Sequence, residues 1–171
     1  MALGTGSSLT AVYEELIRRY QEKTLSFRNV VVFNAYEYYP LQQESSLRTI
    51  NQLKERFLSH VDVQEQNIFS LDGFVAQDAV QDCCRLYEQR IKTFGGLDVA
   101  LIGIGRSGNI AANEPGSGIQ SVTRLILIGN TSREEMEASE QTKETIPPCS
   151  LTMGIATLLS AKTVYLTAWG E

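Results

Sequence analysis

The sequence predicts an α/β fold of the doubly wound, Rossmann-like type, in which helices cover both faces of a parallel sheet in three layers. Two observations support this prediction. Short runs rich in β-branched residues alternate with segments of helical periodicity, as in strand–helix–strand units. Glycine-rich turns follow several of these runs, where parallel strands would end. With 171 residues and 43% hydrophobic content, the chain has the size of one domain, which we assign to residues 1–171.

The first half of the chain contains two predicted helices and two predicted strands. The helices cover residues 8–22 and 45–61, because apolar residues recur there at intervals of three and four. The first strand covers residues 29–33 and reads Asn-Val-Val-Val-Phe, a β-branched run. The second covers residues 67–71 and ends at an Asp-Gly turn.

The second half begins with a long predicted helix over residues 77–94, which ends at a Gly-Gly pair. An apolar strand over residues 97–102 follows it. Residues 131–146 are rich in Glu and lack an apolar stripe, so we expect a surface helix or a mobile flap there. The remaining predicted elements are strands over residues 124–128 and 163–168 and a helix over residues 151–160.

Composition and charge argue against several functional classes. The net charge of −5 gives no electrostatic basis for binding nucleic acid or an anionic membrane. No apolar run reaches the ~20 residues needed to cross a bilayer, and the first residues lack a signal-peptide pattern. The cysteines, Cys83, Cys84 and Cys149, favour reduced thiols and a cytoplasmic location. His60 has no cysteine at metal-ligand spacing, so we expect packing rather than a metal site there.

Residues 103–108 match the Gly-x-Gly-x-x-Gly pattern of dinucleotide-binding loops, directly after a predicted strand. That pattern normally opens a long helix in the first strand–helix unit, whereas here Pro115 and Gly116 soon interrupt the chain and two units come first. No acidic residue ends a second strand about twenty residues further on. We therefore expect no nicotinamide cofactor at this loop.

A second small-residue loop precedes the first predicted helix and consists of Gly4, Thr5, Gly6, Ser7 and Ser8. Backbone N–H groups, hydroxyls and the positive end of the helix favour a phosphate or carboxylate at such a loop. A capped helix after a permissive turn explains the same residues equally well.

An aromatic loop is predicted over residues 34–40, after the first strand. Glu37 is a candidate general base there, and the neighbouring tyrosines are candidates for stacking on a sugar ring; an exposed carboxylate beside packed aromatic residues is the alternative. This loop and the loop over residues 103–108 follow predicted strands, and residues 4–8 look like a strand-to-helix loop after Leu3. A parallel sheet would bring all three loops to one edge. The sequence therefore predicts one pocket built from all three loops.

Taken in order, these segments resemble the glucosamine-6-phosphate deaminase (isomerase) family, in the form found in Bacteroides-type bacteria. The wider group includes 6-phosphogluconolactonases, ribose-5-phosphate isomerases and CoA transferases, which implies the same three-layer fold. The likeness runs through nearly the whole chain. The matching motifs are Leu3-Gly4-Thr5-Gly6-Ser7-Ser8, Ser26-Phe27-Arg28-Asn29 with the strand that follows, His60-Val61-Asp62, Gly103-Ile104-Gly105 with Gly108 and Asn113-Glu114-Pro115, Ser150-Leu151-Thr152-Met153-Gly154, and Ala168-Trp169-Gly170.

The resemblance implies a hexose phosphate such as glucosamine 6-phosphate as ligand, converted with water to fructose 6-phosphate and ammonia without a cofactor. In the family, an Asp moves the proton between C1 and C2, and a His supported by an Asp and a Glu opens the sugar ring. The position of the proton-moving Asp is Tyr36 in this chain, and that of the His is Asn109. Ser107 replaces the supporting Asp, and the Glu is retained as Glu114.

These replacements predict deaminase activity that is weak or absent. Tyrosine in water has a pKa of about 10, against about 4 for aspartate, so it is a poor base at neutral pH. Asparagine cannot transfer a proton near pH 7 as histidine can. Glu37, next to Tyr36, is the alternative base. Two other functions stay open: a non-catalytic sugar-phosphate sensor or assembly subunit, and a 6-phosphogluconolactonase-like hydrolase that uses Glu37 or Glu114.

Further positions depart from the family pattern. Ala138 stands where the resemblance implies a phosphate-binding arginine, and the corresponding lysine position lies beyond Glu171. Ser117 and Arg124 match the family's allosteric sugar-phosphate site. The comparison also implies that the domain lacks the family's first strand and C-terminal part. Because relatives often form hexamers, a homo-oligomer is among the expected states.

Overall fold

Two β-sheets form the framework of the chain in a computed structural model that describes residues 1–139 and 144–168. The helices are α1 (Thr10–Gln21), α2 (Thr49–Arg56), α3 (Val80–Thr93), α4 (Asn130–Ser139) and α5 (Ile155–Leu159). The strands are β1 (Ala2–Leu3), β2 (Val32–Asn34), β3 (Tyr36–Tyr39), β4 (Ile68–Phe69), β5 (Val99–Gly103), β6 (Arg124–Leu127), β7 (Cys149–Thr152) and β8 (Thr163–Thr167).

The main sheet has the strand order β4-β2-β1-β5-β8, and all of its strands run parallel. The two-residue strand β1 lies at its centre, where Leu3 pairs with Asn34 on one side and with Leu101 on the other. The carboxyl ends of all five strands therefore lie on one edge of the sheet. In open α/β sheets, binding loops lie along this edge.

Helices cover both faces of the main sheet. Side chains of α1 and α2 such as Tyr13 and Leu53 pack on the face that carries Leu3. Tyr87 of α3 and Leu158 of α5 pack on the opposite face, among the residues around Ala2. Within the described ranges, no helix has both the length and the apolar character needed to cross a membrane. The predicted three-layer α/β fold is confirmed.

The second sheet, with the order β3-β7-β6, is antiparallel, and β6 is the one of its three strands that the sequence predicts. It contains β3, although residues 34–40 are predicted to form a loop. It also contains β7, so the predicted helix over residues 151–160 is wrong at its start, and only α5 is helical. Leu151 and Met153 are both fully buried, and their two-residue spacing is the period of a strand.

Several elements are shorter than predicted. The helix predicted over residues 45–61 consists of α2 and a 3₁₀ turn, Leu58–His60, and the strand predicted from residue 29 begins at Val32. The residues from 45 to 48 are not helical, although a helix is predicted there. Ser45 Oγ instead donates a hydrogen bond to Oε2 of Glu144 at 2.6 Å. α4 is helical within the predicted segment 131–146, of which residues 140–143 lie outside the described residues.

Candidate functional site

A cavity of about 560 Å³ opens at the carboxyl-terminal edge of the main sheet. Its wall contains residues 4–8, the tyrosines at positions 36 and 38, residues 102–106, Asn109, and part of α4. The structure therefore brings the two glycine-bearing loops and the tyrosine-bearing segment together. A cavity of this size can enclose a small-molecule ligand.

The N-terminal loop (residues 4–8) is held against the body of the protein by donors on α1 and α2. Tyr13 Oη donates to the carbonyl of Gly4 at 2.6 Å, and the guanidinium of Arg56 donates to the carbonyl of Thr5. Burial raises the pKa of Tyr13 well above its usual value, so its hydroxyl stays a donor. These contacts fix the path of the loop at the mouth of the cavity.

Tyr36 joins β3 to the N-terminal loop. Its hydroxyl oxygen lies 2.9 Å from Oγ1 of Thr5, and its ring meets that of Tyr38 edge-on, with centroids 5.8 Å apart. Both rings line the cavity. A bulky phenol therefore forms part of the wall at the position where the family resemblance implies an aspartate.

The turn after β5 brings its backbone very close to two other segments. A Cβ atom at Gly103 would lie 2.3 Å from Oγ of Ser8, and one at Gly105 would lie 2.0 Å from Oδ1 of Asn109. The amide of Gly105 donates to the carbonyl of Asn109 at 2.9 Å, so the chain turns back here instead of opening a long helix. Glycine at these two positions allows the three segments to meet.

Behind the cavity wall runs a hydroxyl chain, which we define as Asn109, Ser107, Ser132 and Glu114. Ser107 Oγ donates to Oδ1 of Asn109 at 2.8 Å and lies 2.8 Å from Oγ of Ser132. Ser132 donates in turn to Oε2 of Glu114 at 2.9 Å. Asn109 and Ser132 line the cavity, so hydrogen bonds lead from the cavity to a carboxylate. Ser132 lies in a polar segment of α4 and carries no sequence signal of this role.

Backbone groups fix both ends of the hydroxyl chain. The side-chain Nδ2 of Asn109 donates to the backbone carbonyl of Ala111 at 3.2 Å. Ala111 has a φ of 53°, in the left-handed region that non-glycine residues rarely adopt. At the other end, the amide of Gly129 donates to Oε1 of Glu114 at 2.9 Å. The carboxylate of Glu114 is therefore held in a defined position.

Glu37 lies away from the cavity and is only 1% exposed. Its Oε1 accepts the backbone amides of Tyr38 and Thr49, each at 3.0 Å. Thr49 is the first residue of α2, so the carboxylate caps that helix. Burial raises the pKa of Glu37 to about 7, although the amide donors act in the opposite direction. The structure thus places Glu37 in a capping role and apart from the other predicted site residues.

Charged side chains that the sequence analysis did not single out also line the cavity. Arg56 ends α2, and Arg106 lies in the turn after β5. Glu135 of α4 contributes a carboxylate to the same wall. Arg56 reaches the N-terminal loop from 51 residues away in sequence, so only the fold reveals the contact.

The predicted allosteric pair lies together, outside the residues that line the cavity. Arg124 Nη2 donates to Oγ of Ser117 at 3.1 Å, and its Nη1 donates to Oδ1 of Asn113 at 2.8 Å. Burial lowers the pKa of Arg124. Its guanidinium is therefore already hydrogen-bonded within the protein.

The histidine and the cysteines take no part in the cavity wall. His60 is exposed, and its Nε2 lies 2.9 Å from the carbonyl of Glu55. Cys83, Cys84 and Cys149 are free thiols. In the part of the chain that the structure describes, no three potential metal-ligating side chains cluster.

Comparison with known sequences gives matches along the whole chain. A sequence profile for glucosamine-6-phosphate isomerases/6-phosphogluconolactonase matches residues 1–171. A glucosamine-6-phosphate deaminase-like protein of Bacteroides thetaiotaomicron is 57% identical over all 171 residues, which span 26% of its length. The glucosamine-6-phosphate deaminase of Malacoplasma penetrans is 36% identical over 173 residues, covering all of this chain and 71% of that protein.

Solved structures are similar in the same way. A monomeric glucosamine-6-phosphate deaminase superposes with a TM-score of 0.87 at 34% identity, over 96% of this chain and 68% of that one. A 6-phosphogluconolactonase of Thermotoga maritima superposes with a TM-score of 0.70 at 16% identity, over 96% of this chain and 67% of the other. At that identity the second likeness shows a common fold only.

Proposed function

Because the chain belongs to the glucosamine-6-phosphate isomerase/6-phosphogluconolactonase family, we propose that its cavity binds a phosphorylated hexose such as glucosamine 6-phosphate. The proposal includes deaminase activity that is weak or absent. The observation that carries it is the shared cavity: the N-terminal loop, Tyr36 and Asn109 lie on one wall, and neither of these two side chains is a proton carrier suited to neutral pH.

The N-terminal loop supports the phosphate part of the proposal. It leads through a 3₁₀ turn, Ser7–Leu9, directly into α1, so it lies at the positive end of a twelve-residue helix. Hydroxyls of Thr5, Ser7 and Ser8 lie on the cavity wall beside it. Backbone amides and hydroxyls at a helix start are the groups that bind phosphate in many proteins.

The side chains at the two proposed acid–base positions support weak or absent deaminase activity. The Tyr36 hydroxyl is engaged with Thr5, and the Asn109 amide is engaged with Ser107 and Ala111. Neither group offers the carboxylate or imidazole that proton transfer at C1, C2 or the ring oxygen requires. Each such transfer typically contributes ~10² to 10⁴ to the rate, so the loss of two is severe.

A hydrolase acting on a phosphorylated lactone is the second candidate, because Ser132 links Glu114 to the cavity. Through Ser132, Glu114 would accept the proton of a water molecule that attacks the lactone carbonyl. Glu37 is unsuited to this role, because its carboxylate caps α2. Release of protons on addition of 6-phosphogluconolactone, lost in a Glu114→Gln variant, would favour this candidate over silent binding.

Calorimetry and an ammonia-release assay test the proposal together. We expect glucosamine 6-phosphate to bind and unphosphorylated glucosamine not to bind. We expect the variant Tyr36→Asp, Ser107→Asp, Asn109→His to release ammonia at least about 10²-fold faster than the unaltered chain. The matched control is Tyr36→Asn, Ser107→Asn, Asn109→Gln, which has similar shapes without proton carriers.

The possible outcomes separate the two parts of the proposal. Ammonia release by the unaltered chain at about 10 s⁻¹, an ordinary enzyme rate, contradicts weak deaminase activity. Failure to bind any sugar phosphate contradicts the proposal that the cavity binds a phosphorylated hexose. Binding without turnover of either substrate identifies a sensor or an assembly subunit.

Two properties stay predictions from the sequence: a cytoplasmic location and a homo-oligomeric state. The chain spans 26% of the Bacteroides relative, so the activity of the longer protein is a separate proposal. Light scattering on the purified chain measures the oligomeric state directly.

A further inference from the structure

Two arginines from distant parts of the sequence line the cavity. Arg56 is the last residue of α2, and Arg106 lies in the turn after β5; both line the wall that contains the N-terminal loop. Within residues 1–139 and 144–168, neither makes a salt bridge with a carboxylate. Glu135 is the acidic residue on the same wall. The three groups together leave one net positive charge facing the cavity.

Arg56 is anchored at the loop. Its Nη1 donates to the carbonyl of Thr5, and a guanidinium has five N–H donors in a planar fork. One donated bond fixes the position of the group and leaves N–H donors for another acceptor. The planar fork matches the paired oxygens of a phosphoryl group.

Other cations near the site are engaged elsewhere. Arg133 of α4 lies 3.9 Å from Glu137, and it is absent from the cavity wall. Lys54, two residues before the end of α2, pairs with Glu65. Among the residues that the structure describes, the cationic side chains that line the cavity are Arg56 and Arg106.

We propose that Arg56 and Arg106 bind the phosphoryl group of the sugar phosphate and so determine the preference for phosphorylated ligands. The inference rests on the proposed function and names the residues that supply its charge selectivity. The N-terminal loop contacts the phosphoryl oxygens with backbone amides and hydroxyls, and the two arginines neutralise the charge. Glu135 opposes them and limits the affinity.

Calorimetry with glucosamine 6-phosphate tests the assignment, with inorganic phosphate as a competing probe. We expect Arg56→Met and Arg106→Met each to weaken binding by about 10- to 100-fold, as for loss of a hydrogen bond to a charged group. We expect Glu135→Gln to tighten binding. Arg85→Met is the matched control, because Arg85 is an exposed arginine that pairs with Asp82 and does not line the cavity.

Arg56 also holds the loop, so its variants need a second readout. Arg56→Lys keeps the charge, and we expect it to bind more tightly than Arg56→Met at an equal melting temperature. Binding by both methionine variants at the affinity of the unaltered chain overturns the assignment and leaves the proposed function intact. Absence of binding by the unaltered chain overturns the proposed function and this assignment together.

Discussion

The hydroxyl oxygens of Ser107 and Ser132 lie 2.8 Å apart, between the buried amide of Asn109 and the carboxylate of Glu114. Each hydroxyl has a single proton, and both ends of the hydroxyl chain accept hydrogen bonds. The two hydroxyl protons of Ser107 and Ser132 are therefore shared among three contacts. Either both hydroxyls donate toward Glu114, or both donate toward Asn109, or each donates to its own end and the contact between them has no proton. A connected polar path therefore runs from Asn109 on the cavity wall to the carboxylate of Glu114.

The first prediction concerns Ser132, which is 1% exposed. We expect Ser132→Ala to lower the free energy of unfolding by about 1–3 kcal/mol, because the Glu114 carboxylate loses a donor in a partly buried position. Urea unfolding measures the change. Thr131→Ala, an exposed neighbour on α4, is the control and should change stability by less than about 0.5 kcal/mol. Equal stability of the two variants would contradict the role assigned to Ser132.

The second prediction concerns Gly105. Because an added Cβ would lie 2.0 Å from Oδ1 and 2.8 Å from Cγ of the buried Asn109, we expect Gly105→Ala to destabilise the fold by about 1–3 kcal/mol. Gly118→Ala is the control, since its Cβ would meet no atom within 4 Å. The double variant Gly105→Ala, Asn109→Ala should recover part of the loss. Equal stability of Gly105→Ala and Gly118→Ala would show that the close approach to Asn109 does not require glycine at position 105.

The third prediction concerns the contact between Tyr36 and Thr5. We expect a double-mutant cycle of Tyr36→Phe and Thr5→Val to give a coupling energy of about 0.5–1.5 kcal/mol, the value of a neutral hydrogen bond. Tyr165→Phe, on the exposed face of β8, is the control for removal of a phenolic hydroxyl. Strictly additive effects of the two substitutions would show that the hydroxyls do not stabilise one another.

The amino-acid sequence predicts those parts of the structure that a local pattern determines. The alternation of β-branched runs and helical periods predicted the three-layer fold, because strands and helices bury apolar residues at different intervals. The sequence also predicted that the loops after β1, β2 and β5 lie at one edge of the sheet, because parallel strands share a direction. Short elements were harder, since the four residues of β7 contain too few positions to separate a period of two from one of 3.6.

The parts of the site that the sequence did not reveal depend on contacts between distant segments. Arg56 and Ser132 lie in polar helical segments, where a charged or hydroxyl side chain is common and signals nothing by itself. The structure gives them a role through Thr5 in one case and Glu114 in the other. Glu37 shows the converse, because its neighbours in sequence suggested a base, whereas its burial against α2 makes it a cap.

The last prediction follows from that burial. Burial raises the pKa of Glu37 to about 7 in the folded protein, whereas an unfolded chain gives Glu a pKa of about 4.3. Between these two values the folded state holds a proton that the unfolded state has released. The contribution to stability is therefore complete below about pH 4.3, falls as the pH rises toward about 7, and is lost above it. Because the two pKa values differ by about 2.7 and one pKa unit corresponds to about 1.4 kcal/mol, the contribution is about 4 kcal/mol.

The variant Glu37→Gln removes this titration while keeping an oxygen that accepts the amides of Tyr38 and Thr49. We expect the two proteins to have similar stability at pH 5, and the variant to be more stable by pH 8. Urea unfolding at several pH values measures the difference, and Glu44→Gln, on an exposed carboxylate, is the control. A difference between unaltered protein and Glu37→Gln that stays constant from pH 5 to pH 8 would show that the buried carboxyl does not titrate there. The expected slope arises because the protonated form of Glu37 fits its buried place beside α2 better than the ionised form.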